Sequence, residues 1–204
     1  MRVGQSLSLS PAAFLAAHTT SALAGTAAQP GAPGCVTCHG MRGEGASSGV
    51  PRLAGQNADY LDHALSMFKT GARAGAIMQP IAQNLSDSEM RRLADYFSNQ
   101  HAALADAGAS ASPQLVIAGK QLAETGAADK AACFSCHGAQ GKGNGARFPS
   151  ITGQPAQFVI NRLHEFQARA KATAPRPGTM TAVAATLDER QIQEAAAYLS
   201  QLEP

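Results

Sequence analysis

Between Asp59 and Lys69, Tyr60, Leu61, Ala64, Leu65 and Phe68 recur at three- and four-residue spacing and predict an amphipathic helix, with Gly71 as its stop. Ser86-Asp87-Ser88-Glu89 has the form of a capping box. It opens a second helix on which Met90, Leu93 and Phe97 share a face. Ser112-Pro113 caps a third, running through Leu115, Gly119 and Leu122 to end near Gly126. Pro155 to Arg169 carries Phe158, Val159, Leu163 and Phe166 at the same spacing, and a last helix begins near Asp188 with Ile192, Ala195, Ala196 and Leu199. Gly and Pro punctuate the rest. Gly25–Gly34 reads as non-helical, a loop with Gly75 leads to Met78, and Pro175, Pro177 and Gly178 break the chain before Met180. No segment alternates apolar and polar residues convincingly, so the predicted class is all-α.

The pattern repeats. At an offset of 98 residues, Gly43, Gly45, Pro51, Gly55, Gln56, Leu65 and Phe68 return as Gly141, Gly143, Pro149, Gly153, Gln154, Leu163 and Phe166. Four inserted residues then move the offset to 102, where Met78, Ala82, Leu85 and Tyr96 return as Met180, Ala184, Leu187 and Tyr198. Two repeats of this length are tandem domains rather than solenoid units. The expected division is 25–104 and 113–204, joined by a linker at 105–112 that is rich in Ala, Gly and Ser.

The first repeat begins Cys35-Val36-Thr37-Cys38-His39 and the second Cys133-Phe134-Ser135-Cys136-His137. C-x-x-C-H is the attachment signature of c-type haem: two thiols add to the vinyl groups, and the next residue brings an imidazole to the iron. Zinc and disulfides are the competing uses of four cysteines. Zinc sites with paired C-x-x-C have only about 15–20 residues between pairs, far fewer than here, and dithiols leave both histidines unexplained. Two covalent haem c groups are the reading that uses all six residues. All four thiols are then consumed, so the second axial ligand is not Cys. Met78 and Met180 are the aligned pair, and each follows a helix-breaking loop able to bend around a haem edge. Met41 lies too close to His39, while Met67 and Met90 sit within amphipathic helices as core filler. His63 and His164 do not align with one another, as ligands of a duplicated site should. A thioether opposite imidazole favours ferrous iron and leaves no open coordination position, which points to electron transfer rather than catalysis. The other ring nitrogen of each His is expected to donate to a backbone carbonyl.

Composition adds boundaries. The 204 residues suffice for two small domains, whose thin cores a porphyrin would complete, and tryptophan is absent. A net charge of +2 gives no nucleic-acid footprint and no polybasic membrane patch. Residues 1–24 read as a leader ending in Ala22-Leu23-Ala24. A helix with Ser10 as N-cap and Pro11 at N1 is the rival reading. Beyond the leader nothing reaches the roughly 18 apolar residues of a membrane span.

The C-x-x-C-H motifs, Pro51-Arg-Leu-Ala-Gly-Gln56 with Pro149-Ser-Ile-Thr-Gly-Gln154, and the segments opened by Met78 and Met180 together resemble class I c-type cytochromes. Their tandem arrangement resembles the cytochrome c4 family. The resemblance covers roughly residues 35–202. It implies two tandem class I domains, His/Met haems packed across an interface, and Pro51 and Pro149 as the prolines whose carbonyls accept from the ligating histidines. It further implies a periplasmic carrier that takes electrons from a dehydrogenase or quinol-oxidising complex and passes them to a terminal oxidase. The family has a helix leading directly into its first haem motif, whereas Gly25–Gly34 stands there in this chain. The alternative role is the cytochrome subunit of a flavin-dependent dehydrogenase for sulfide or another sulfur compound. A dihaem peroxidase or thiosulfate dehydrogenase is disfavoured by the saturated irons. The short linker implies docked domains, and the differing residues near the two motifs imply unequal potentials.

Overall fold

The computed structural model describes residue 1, residues 32–105 and residues 111–204. The predicted leader, the rival helix at Ser10, most of Gly25–Gly34 and the middle of the linker lie outside the described residues.

Nine α-helices occur among the described residues, with no strand and only isolated bridges. The first domain holds α1 (Ala32–His39), α2 (Ala58–Thr70), α3 (Met78–Gln83) and α4 (Asp87–Ser98). The second holds α5 (Pro113–Glu124), α6 (Cys133–His137), α7 (Ala156–Ala172), α8 (Met180–Ala185) and α9 (Glu189–Leu199). The repeat is therefore structural: α1 to α4 correspond to α6 to α9.

Local signals place most helix ends. The Asn57 side chain accepts from the Tyr60 N–H to start α2, and Gly71, in the left-handed region, ends it. Ser86 with Glu89 at α4 and Asp188 with Gln191 at α9 both close reciprocal capping boxes. Ser112 caps α5 with Pro113 in its first turn. One expectation needs correction: α1 starts at Ala32, so Ala32, Pro33 and Gly34 are helical and not part of a Gly/Pro loop. Pro33 falls in the first turn, where a missing N–H breaks no intrahelical bond. The segments opened by Met78 and Met180 are also more ordered than loops, each forming a six-residue helix.

Leu61, Leu93, Ala94 and Phe97 form the first core, where α2 meets α4. The second core is larger, joining Leu122, Val159, Leu163, Leu187, Ile192 and Leu199 from α5, α7, α9 and the turn before α9. There α5 crosses α9 at Gly119, where a Cβ would lie 1.9 Å from the Glu194 carbonyl oxygen, so the two backbones touch. Tyr198 closes the crossing by donating its hydroxyl to Glu124 (2.9 Å).

The Arg52 guanidinium donates to the carbonyls of Ala102 (2.7 Å) and Ala103 (2.8 Å), holding the end of the first domain against its body. Leu104 then packs on Gly153 of the second.

Candidate haem sites

Each motif sits on a short helix that brings its residues to one end of a core. Cys35 packs at the edge of the first core and Cys133 at the edge of the second, both half-buried, while Cys38 and Cys136 are exposed. Burial raises the Cys133 thiol to about 11 and also raises Cys35, with the neighbouring Cys a smaller cause in each case. His39 and His137 are both buried, each 6 % exposed.

The two histidines are held identically. His39 Nδ1 lies 2.9 Å from the Pro51 carbonyl oxygen, and His137 Nδ1 lies 2.7 Å from that of Pro149. A carbonyl only accepts, so Nδ1 carries the proton in both rings and Nε2 keeps its lone pair. Burial depresses both imidazole pKa values, with the proline carbonyl acting weakly the other way. The rings are therefore neutral, as a metal ligand must be.

The proline carbonyls are placed by a backbone clip that recurs in each domain. Gly45 N–H donates to the His39 carbonyl and Leu53 N–H to the Gly43 carbonyl; Gly143 and Ile151 do the same with His137 and Gly141. Farther out, Gly55 donates to Phe97 of α4, and Gly153 to Leu199 of α9. Gly45 and Gly143 have φ of 82° and 91°. A Cβ there would lie 2.8 Å from Arg52 N and 2.6 Å from Ser150 N, so the clip needs glycine twice over.

Met78 and Met180 are the first residues of α3 and α8, both half-buried. Matched side chains hold the ends of these segments. Lys69 Nζ on α2 donates to the Leu85 carbonyl (2.8 Å), and Gln167 on α7 donates to the Leu187 carbonyl (2.8 Å). Met180 and Phe166 both pack against the second core. Gly75 approaches Phe68 so closely that a Cβ would lie 2.7 Å from the ring, which brings the segment before Met78 onto α2. The methionines set aside lie elsewhere: Met90 is buried in α4 and Met41 is exposed. His164 pairs with Glu189 at the surface (2.8 Å), and His63 is exposed.

Two features had no chemistry assigned from sequence. Arg73 is buried (8 % exposed) and stacks on Phe68 with its Cζ 4.5 Å from the ring centroid. Its Nε is the one buried side-chain nitrogen or oxygen among the described residues without a hydrogen-bond partner. Burial lowers its pKa, and nearby Arg162 and Arg169 of α7 add to the lowering. Tyr60 and Glu165 partly offset this, and a buried guanidinium with an unpartnered nitrogen fits an anionic group, such as a haem carboxylate. No residue spacing advertised this. Gln56 and Gln154 did recur in the sequence; the structure shows each binding the backbone of the opposite domain.

The donor set therefore fits haem: paired thiols, a neutral imidazole with a free Nε2, a repeated methionine and a buried cation. Among the described residues no cluster of three His, Cys, Asp or Glu side chains could hold a metal ion, so nothing there builds the zinc alternative. No helix among them is long and apolar enough to cross a membrane.

Comparison with known proteins agrees. The profile of the family described as "Cytochrome c" matches residues 25–100 and again 116–203. A "thiosulfate dehydrogenase electron acceptor" of Stutzerimonas stutzeri is 37 % identical over 177 residues, covering 85 % of this chain and 81 % of that protein. "Cytochrome c4" of Azotobacter vinelandii is 34 % identical over 180 residues, covering 82 % of this chain and 84 % of its own. The crystal structure of reduced recombinant cytochrome c4 from Pseudomonas stutzeri superposes with a TM-score of 0.76 at 30 % identity, covering 87 % of this chain and 99 % of that one.

Proposed function

This chain belongs to the cytochrome c family as a dihaem electron-transfer cytochrome, and we propose that it carries electrons between protein partners of a periplasmic respiratory chain. The observation that carries this reading is the twice-built arrangement of C-x-x-C-H helix and proline carbonyl. It holds two neutral imidazoles with Nε2 free. Haem iron supplies a one-electron Fe(III)/Fe(II) couple when bound, so the chain holds up to two electrons.

In the proposed arrangement Cys35 and Cys38 attach one haem and Cys133 and Cys136 the other. His39 and His137 would ligate iron through Nε2, and Met78 and Met180 would each supply a thioether sulfur as the second ligand. The proline carbonyls fix ring orientation and raise imidazole basicity, and the Met sulfurs favour the ferrous state. Arg73, with its buried unpartnered Nε, would donate to a haem carboxylate. With two protein ligands, each iron would offer no position for a substrate, which supports an electron carrier over an enzyme. Residues 25–104 and 113–204 are the haem domains, 105–112 joins them, and 1–24 is the leader that exports the chain.

The donor is a dehydrogenase or a quinol-oxidising complex and the acceptor a terminal oxidase. One observation favours a narrower donor. The Stutzerimonas relative is named as the electron acceptor of a thiosulfate dehydrogenase, which supports a sulfur-compound dehydrogenase as the source of electrons. That relation brings the second reading, an electron-transfer subunit of such a dehydrogenase, within the same chemistry.

Intact mass of the exported protein is expected to exceed the chain by two haems that survive acid–acetone extraction. Stopped-flow mixing of the oxidised protein with a thiosulfate dehydrogenase and thiosulfate is then expected to reduce both haems. Zinc in place of haem sinks the proposal. Reduction by quinol-oxidising complexes alone removes the narrower donor and leaves the carrier.

A further inference from the structure

The Pro51–Arg52 peptide group is used from both sides. Its carbonyl accepts from His39 Nδ1 (2.9 Å), and its N–H donates to Gln154 Oε1 of the other domain (3.1 Å). The Pro149–Ser150 peptide does the same: its carbonyl accepts from His137 Nδ1 (2.7 Å), and its N–H donates to Gln56 Oε1 (2.9 Å). Each glutamine completes a two-bond clasp through its amide nitrogen. Gln154 Nε2 donates to the Arg52 carbonyl (3.0 Å), and Gln56 Nε2 donates to the Ser150 carbonyl (2.9 Å). Both glutamines are buried, Gln154 at 6 % and Gln56 at 4 % exposure. The clasps are reciprocal, as a pseudo-two-fold axis between the domains requires.

We propose that Gln56 and Gln154 are positioning residues that each tune the haem of the opposite domain, through one peptide group shared with that haem's axial histidine. This rests on ligation by His39 and His137 as described above. An amide N–H that donates to Gln Oε1 polarises its peptide and makes the carbonyl a stronger acceptor, because hydrogen bonds in a chain reinforce one another. A stronger acceptor draws the Nδ1 proton, raises the basicity of Nε2 and favours ferric iron. Docking of the domains therefore lowers both potentials, and the wiring is crossed. Gln154 acts on the first haem and Gln56 on the second.

The crossing provides the test. In the full holoprotein, Gln154→Leu removes the acceptor at Arg52 N–H. We expect it to raise the potential of the first-domain haem, weakening its ferric preference by up to about tenfold, ~59 mV for one electron. The potential of the second-domain haem is expected to stay in place. Gln56→Leu is expected to give the mirror image. In the ferrous state the His39 Nδ1 proton resonance shifts upfield in Gln154→Leu and stays put in Gln56→Leu. Gln154→Glu keeps an acceptor oxygen and is expected to leave the first haem at or below its wild-type potential. Equal shifts of both haems, as simple loosening of the interface would produce, overturn the proposal, and so do shifts in neither haem. Loss of His/Met spectra in the wild-type protein is a different failure, of the ligand assignment itself.

Discussion

His39 and His137 are suited to ligate iron because of what holds the other side of each ring. A buried neutral imidazole with Nδ1 tied to a proline carbonyl has one lone pair to offer, in one direction. Replacing Met180 by His is expected to abolish the weak red charge-transfer band of the second haem and lower its potential, since a second imidazole favours ferric iron over thioether. Visible spectra and potentiometry check this, with Met78→Leu as the matching variant in the first domain. One difference between the two sites is Arg52, which aligns with Ser150. Its buried guanidinium lies beside the peptide that receives His39, and burial lowers its pKa while Glu44 and Glu203 offset the cost. A nearby cation disfavours the ferric state. Arg52→Ser is therefore expected to lower the first haem's potential and leave the second nearly unmoved.

At the scale of elements, the long helices were legible because a face of Leu, Phe and Val at helical spacing has one outcome next to a core, and because their caps are written locally. The short helices α3 and α8 were not. Six residues give less than two turns of pattern, and Pro80 inside α3 reads as a breaker although it falls in the first turn, where proline is tolerated. The crossing of α5 and α9 was equally invisible. Gly119 looks like a weak spot in a helix, yet it is the one residue that lets the two backbones meet. Gly119→Ala is expected to destabilise the second domain by about 1–3 kcal/mol through overpacking. Denaturant titration followed at each haem should show the second domain unfolding earlier, with the first unchanged.

Across the whole molecule, the two domains are docked by the glutamine clasps, by Gly49 against Asn161 and Gln157 of α7, and by Leu104 against Gly153. Buried hydrogen bonds of this kind contribute about 1 kcal/mol each, and the tether makes their formation intramolecular. The double variant Gln56→Leu with Gln154→Leu is expected to enlarge the particle seen by small-angle scattering, because all the bonds of both clasps vanish together. A redox titration of the intact protein is expected to resolve two one-electron steps, since similar ligands sit in unlike surroundings. A single Nernstian wave of two equal haems would contradict this.

The sequence alone determined the haem count, the attachment residues, the proline acceptors suggested by family resemblance, and most helices. Covalent attachment requires neighbouring cysteines, and helical periodicity is a property of neighbours too. Only the tertiary structure decided that Gln56 and Gln154 reach across the boundary, that Arg73 is buried with an unpartnered nitrogen, and that Arg52 holds the carbonyls of Ala102 and Ala103. Those contacts join residues about fifty to a hundred positions apart or depend on how the folded chain buries a side chain. They leave no periodic trace, because the partner is chosen by how the folded surfaces meet and not by adjacency along the chain.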